Sequence, residues 1–147
     1  MINVSDLLKK KGKAVYSLSP EVKTLEALKI MTEKKVGALV ILDNGKLAGI
    51  ISERDFVHQI AKTGASDLSL PVQSFMTTHL FVVTPKQTIG ECMILMTDHR
   101  VRHLPVMDGE QLIGVISIGD VVKELIADRD SMIENLENYM SGRTIGY

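Results

Sequence analysis

The sequence predicts an α+β chain: two β-α-β-β-α repeats packed sheet to sheet about a pseudo-twofold axis, followed by a C-terminal helix. Two observations carry this prediction. The chain repeats itself at a spacing of 65 residues, and inside each copy the apolar pattern switches between helical and strand-like periods. A third observation sets the packing. With 147 residues the chain suits one compact domain or two fused units, and one small sheet cannot bury both of its faces unaided.

The repeat is ungapped. A shift of 65 positions aligns Pro20 with Pro85, Glu26 with Glu91, Met31-Thr32 with Met96-Thr97, Val36 with Val101 and Leu39 with Leu104. The same register pairs Asp43 with Asp108, Leu47 with Leu112, Gly49 with Gly114, Ile51-Ser52 with Ile116-Ser117, Asp55 with Asp120 and Val57 with Val122. Thirteen identities across the 45 positions from Lys13 to Val57, glycine, proline and acidic residues among them, establish duplication.

Each copy opens with an extended piece, Ala14 to Leu18 or His79 to Val83. It ends at Ser19-Pro20 or Thr84-Pro85, where a hydroxyl and a proline favour the start of a helix. Val22, Leu25, Leu28 and Met31, and in the second copy Ile89, Cys92 and Met96, predict one buried helical face. A hairpin follows. Ala38 to Leu42 pairs with Leu47 to Ile51 through Asp43-Asn44-Gly45-Lys46, where Asn-Gly suits a tight primed turn. The second hairpin joins Leu104 to Met107 and Leu112 to Ile116 through Asp108-Gly109-Glu110-Gln111. A closing helix starts at Ser52 or Ser117.

Sequence boundaries place the first repeat and its lead-in at 1–62, a linker at 63–76, the second repeat at 77–127 and a C-terminal helix and tail at 128–147. The linker, with Gly64, Ser66, Ser69 and Pro71 within it, reads as an ordinary surface connection. Ile126, Met132 or Ile133, Leu136 and Met140 form a helical stripe, and Glu134 to Tyr139 reads as a docking or dimer-contact face. Ser141-Gly142 ends that helix, leaving residues 143–147 as a loose tail.

Composition narrows the function classes. A net charge of −1 provides no basic field for nucleic acid, and 45% hydrophobic with 24% charged residues is ordinary globular usage. No apolar run is long enough to cross a bilayer, and the start lacks a secretory pattern, so the expected compartment is the cytoplasm. Cys92 is the single cysteine and reads as a small core residue. There is no Gly-rich phosphate loop and no Gly-x-Ser-x-Gly elbow. His99 and His103 have a metal-compatible spacing only if helical, whereas Val101 to Val106 reads as strand. The expectation is a protein that is not an enzyme, with no catalytic cofactor and no metal.

One motif carries chemistry. Ser-x-x-Asp before an apolar run is a capping box, in which the serine accepts an amide hydrogen bond and the aspartate reaches back. The same cap exposes a helix N-terminus suited to phosphate, and the aspartate oxygens can accept both hydroxyls of a ribose. The copies differ around it: Arg54 aligns with Gly119, and Arg102-His103 with Gly37-Ala38. An arginine fork suits oxyanions, so two unequal sites are expected.

The motif occurs twice, as Gly49-Ile50-Ile51-Ser52-Glu53-Arg54-Asp55 and Gly114-Val115-Ile116-Ser117-Ile118-Gly119-Asp120. In this the chain resembles paired cystathionine-β-synthase (CBS) domains over essentially Val4 to Leu125, and Val101-Arg102-His103-Leu104-Pro105-Val106 is similar to the second-repeat core strand of small stand-alone bacterial members. The resemblance implies adenosyl ligands, such as AMP, ADP, ATP, NAD, NADH or S-adenosylmethionine, bound in clefts between the two repeats without turnover. It makes Asp55 and Asp120 ribose ligands with Ser52 and Ser117 beside them. It also implies one slot from Lys13, Val15, Tyr16, Gly37 and Ala38 with Arg102, Ile116, Ser117 and Asp120. The other joins Thr78, Leu80, Phe81, His103 and Pro105 with Ile51, Ser52, Arg54 and Asp55.

The expected protein is therefore a cytoplasmic sensor of adenine nucleotides, signalling through the orientation of its repeats or the assembly of a homodimer to an unidentified effector protein, with no membrane or nucleic-acid partner. The alternative is a structural dimerisation module that no ligand regulates.

Overall fold

The computed structural model describes residues 2–12, 14–64 and 67–140, without the Tyr139 side chain. Expectations at Lys13 and Ser66, the helix stop at Ser141-Gly142 and the tail lie outside the described residues. The observed class is α+β. In chain order the elements are α1 (Val4–Lys11), β1 (Ser17–Leu18), α2 (Thr24–Lys34), β2 (Ala38–Asp43), β3 (Lys46–Ser52), α3 (Glu53–Thr63), α4 (Ile89–His99), β4 (His103–Asp108), β5 (Gln111–Ser117) and α5 (Ile118–Met140). Among the described residues, one compact unit gathers 14–64, 67–81 and 108–113, and the other 2–12, 82–107 and 114–140.

In the first unit β1 lies parallel to β2, and β2 is antiparallel to β3. Asn44 and Gly45 both take positive φ, 51° and 80°, as a primed two-residue turn requires. The buried cluster is Leu18, Ala27, Met31, Leu39, Ile41, Ile51, Phe56 and Val72.

The predicted buried face of α2 needs correction. Leu25 is 41% exposed, and the buried positions are Thr24, Ala27 and Met31. Steps of three residues advance 300° and drift off any one face, whereas 24, 27 and 31 stay together. The second copy obeys the same rule at Ile89, Cys92 and Met96, each of which is buried.

Neither helix begins at its proline. Val22 N–H bonds Ser19 O, and the Pro20 and Val22 carbonyls accept from Gln73 and Val72, so the chain turns before α2 starts at Thr24. In the second copy the Thr88 side chain, not Thr84, caps α4 by accepting from Glu91 N–H at 3.1 Å.

The linker is also more than a surface connection. Val72, in a short 3-10 turn (Val72–Ser74), is fully buried, and Phe75 meets Phe56 edge to face at 5.4 Å. Thr24 N–H and Leu25 N–H donate to Leu70 O and Leu68 O, which ties the segment to α2.

The two copies treat their opening strand differently. Leu18 pairs with Ile41 in the first, and at the same register Val83 bridges Val106 in the second. Val40 N–H donates to Tyr16 O, but its counterpart Pro105 has no N–H to donate. The expected strand over Ala14 to Leu18 thus contracts to Ser17–Leu18, and that over His79 to Val83 to a single bridge.

An unpredicted helix completes the second unit. Asn3 and Asp6 cap α1 reciprocally, and Val4 and Ser5 N–H groups donate to Gln87 O and Pro85 O at 2.8 and 2.9 Å. The lead-in therefore folds with the second repeat, burying Val4, Leu7 and Leu8. Helix α4 packs on α5, which runs unbroken from Ile118 to Met140.

Candidate ligand-binding site

In each copy a strand runs into a helix through the Ser-x-x-Asp motif. In the first unit β3 ends at Ser52, whose extended backbone makes it the N-cap of α3. Ser52 N–H donates to Asp55 Oδ2 at 2.8 Å, and the Ser52 hydroxyl lies 3.2 Å from the same oxygen. Glu53 N–H donates to Gly37 O at 3.1 Å, and Ala38 stands opposite Ser52 in the β2–β3 register. Gly37, Ala38, Ile51, Ser52 and Asp55 are thus brought together.

Thr77 joins them, a residue the sequence reading missed. Thr77 and Ile50 exchange both backbone hydrogen bonds, at 2.8 and 2.9 Å, and the Thr77 hydroxyl donates to Asp55 Oδ1 at 2.9 Å. This crossing explains Gly49: a Cβ there would stand 2.8 Å from Thr77 O and from Met76 Sδ. Thr78 follows exposed, Leu80 and Phe81 are half-buried, and the Phe81 ring meets His79 edge to face at 5.7 Å. Val15 is half-buried, Tyr16 is exposed with the Lys34 ammonium 5.6 Å above its ring, and Arg54 is exposed in the first turn of α3.

In the second unit Ser117 N–H donates to Asp120 Oδ2 at 2.8 Å, and Asp120 N–H to Ser117 Oγ at 3.2 Å, closing the capping box at the start of α5. Ile118 N–H donates to Arg102 O at 2.8 Å, the counterpart of the Glu53–Gly37 bond. Ile116 and Pro105 are buried, His103 is half-buried and Arg102 exposed. Here the crossing segment is α1. Leu8 covers Gly114, where a Cβ would meet Leu8 Cδ2 at 2.8 Å.

Lys11, also missed from sequence, then donates to Val115 O at 2.7 Å and to Asp120 Oδ2 at 2.6 Å. One ammonium makes the two bonds that the Thr77 amide and hydroxyl make in the other copy. Partial burial pushes the Asp120 carboxyl up, but the Lys11 ammonium and the Ser117 amide and hydroxyl outweigh it and hold it below its ordinary value. The repeat register did not reveal Lys11: carried two residues back beyond Lys13, it sets Gly12, not Lys11, against Thr77.

Cys92 is fully buried, and burial, then Glu91, pushes its thiol up to about 11, as befits a core residue. Among the described residues no cluster of three His, Cys, Asp or Glu could hold a metal, and no helix is long and apolar enough to cross a membrane.

Comparison with known proteins decides the family. Residues 4–62 and 72–127 match the CBS domain. The chain belongs to the CBS domain family. It is 38% identical over 148 residues to the mitochondrial CBS domain-containing protein CBSX3 of Arabidopsis thaliana, covering 95% of this chain and 72% of the relative. A solved CBS-domain protein from Burkholderia ambifaria MC40-6 is 43% identical with a TM-score of 0.81, covering 86% of this CBS chain and 95% of that one. The CBS domain pair of protein MJ0100, solved with 5'-methylthioadenosine and S-adenosyl-L-methionine, shares the fold at 21% identity and a TM-score of 0.75, covering 87% and 98% of the two chains.

Proposed function

We propose that this CBS pair is a non-catalytic regulatory module of the cytoplasm that binds adenine nucleotides, AMP, ATP or NAD(H), at its two Ser-x-x-Asp motifs. One observation carries the reading: both motifs fold as capped helix N-termini whose aspartate is oriented by a partner outside the motif, Thr77 or Lys11. A fixed carboxyl suits the ribose diol, and the adjoining helix start suits phosphate. The ligands of the MJ0100 pair support the adenosyl class. A ligand would shift the orientation of the repeats, or dimer assembly and so an effector protein, in proportion to its preference for one state.

Calorimetry and thermal shift with AMP, ATP, NAD, NADH and S-adenosylmethionine test this. Saturable binding that is lost in Asp55→Ala with Asp120→Ala is expected; no binding by any of them would overturn the reading. The exposed α5 stripe, with Ile126, Met132 and Leu136 all more than half exposed, favours a second reading as a dimerisation module. Its signature is a dimer by light scattering that ignores every nucleotide.

A further inference from the structure

We infer that Lys11 is a specificity-determining residue of the Asp120 site, contributing the cation that contacts the phosphate of a bound nucleotide; this rests on the proposed function. An ammonium has three N–H donors. Lys11 gives one to Val115 O and one to Asp120 Oδ2, and among the described residues the third has no acceptor. The side chain remains 34% exposed, so that donor is reachable.

Asp120 can take a ribose without losing this lysine. Its Oδ2 already accepts from Ser117 and Lys11, while Oδ1 accepts from no described residue. Two lone pairs on Oδ1 are thus open to the two hydroxyls. Asp55 differs, because its Oδ1 already accepts the neutral Thr77 hydroxyl. Lys9, Lys10 and Lys11 end α1, and the nearby carboxylate of Glu124 is already taken by Lys10 at 3.0 Å, which leaves Asp120 as the one carboxylate paired with Lys11 among the described residues.

The sequence set Arg54 in the first motif against Gly119 in the second, so the second motif itself carries no cation, and the resemblance put Arg102 and Lys13 in the Asp120 slot instead. Lys11 supplies one there from outside the motif. A charged donor binds an oxyanion about twice as strongly as a neutral one, so it should separate phosphorylated from unphosphorylated ligands.

The test is titration calorimetry of the full chain with adenosine and with AMP, in an Asp55→Asn background so that the Asp120 site is read. Lys11→Met should weaken AMP about five- to tenfold and adenosine less than about twofold, with Lys11→Arg restoring most of the AMP affinity. Lys11→Gln serves in its place if the methionine variant loses structure by circular dichroism. Equal losses for adenosine and AMP would make Lys11 a mere support for Asp120 and overturn the inference, as would undiminished AMP binding. Those outcomes leave the proposed function standing. Failure of the unaltered chain to bind either ligand removes both.

Discussion

The two copies of the motif reach the same geometry with different chemistry. In the first, a backbone amide and a hydroxyl of Thr77 secure Ile50 O and Asp55; in the second, one ammonium from α1 secures Val115 O and Asp120. The difference teaches that duplication fixed the strand-to-helix corner, the glycine under it and the cap, while the segment crossing that corner was left to choose its donor. A neutral donor orients an aspartate. A charged one also adds a field that salt and pH can modulate.

The core should be where the copies agree, and breaking that agreement gives the largest effects. Leu39 and Leu104 occupy one register position and are 1% and 0% exposed. Leu39→Ala and Leu104→Ala should each destabilise by about 3 kcal/mol in urea melts. A difference between them exceeding about 2 kcal/mol would show that the repeats bear the load unequally.

The motif glycines sharpen the comparison at the next size down. Gly49→Ala forces a methyl onto the Thr77 carbonyl, which is held by its ladder, and should cost about 2 kcal/mol. Gly114→Ala meets only the Leu8 side chain, which can change rotamer, and should cost about 1 kcal/mol. Leu8→Ala should partly offset the second loss. No side-chain truncation should rescue the first, because its obstacle includes backbone.

Much of this was legible in sequence because it is local or repeated. The 65-residue register gave both hairpins, and Ser-x-x-Asp gave both helix starts. What was not legible depended on distant partners. Pro105 reads as an acceptable strand residue until the parallel neighbour that needs its missing N–H is known. Val72 hides in a polar linker, and Lys11 lies 109 residues from Asp120 in a run that reads as solvated charge. The local signals of α1, Asn3 with Asp6 before Leu7-Leu8, were present but too short to stand out.

Exchanging the two donors tests the chemistry directly. Thr77→Val, which leaves the backbone pair to Ile50 intact, should cost about 1 kcal/mol at any ionic strength. Lys11→Met should cost about 0.5 kcal/mol, since a pair this exposed is screened, and the loss should shrink in about 1 M salt. If both losses respond to salt alike, the contrast between a neutral and a charged donor is wrong.

The smallest effect is confined to acid. The folded Asp120 carboxyl sits below its ordinary value of 3.8. The stability it contributes is therefore fully present above that value and lost as pH falls through the lower folded value. Lys11 provides the largest of the influences that lower it, so Lys11→Met should narrow this acid-side loss. Asp67, whose carboxyl is lowered by the Ser69 hydroxyl and amide, titrates in both chains and cancels from the difference. Urea melts of the unaltered and Lys11→Met chains should thus differ most near pH 7 and converge as pH falls below the folded value, where Asp120 is protonated in either chain and has no charge to share with an ammonium. A gap that persists unchanged into acid would mean that Lys11 acts through its bond to Val115 O, and that its bond to Asp120 contributes no stability of its own.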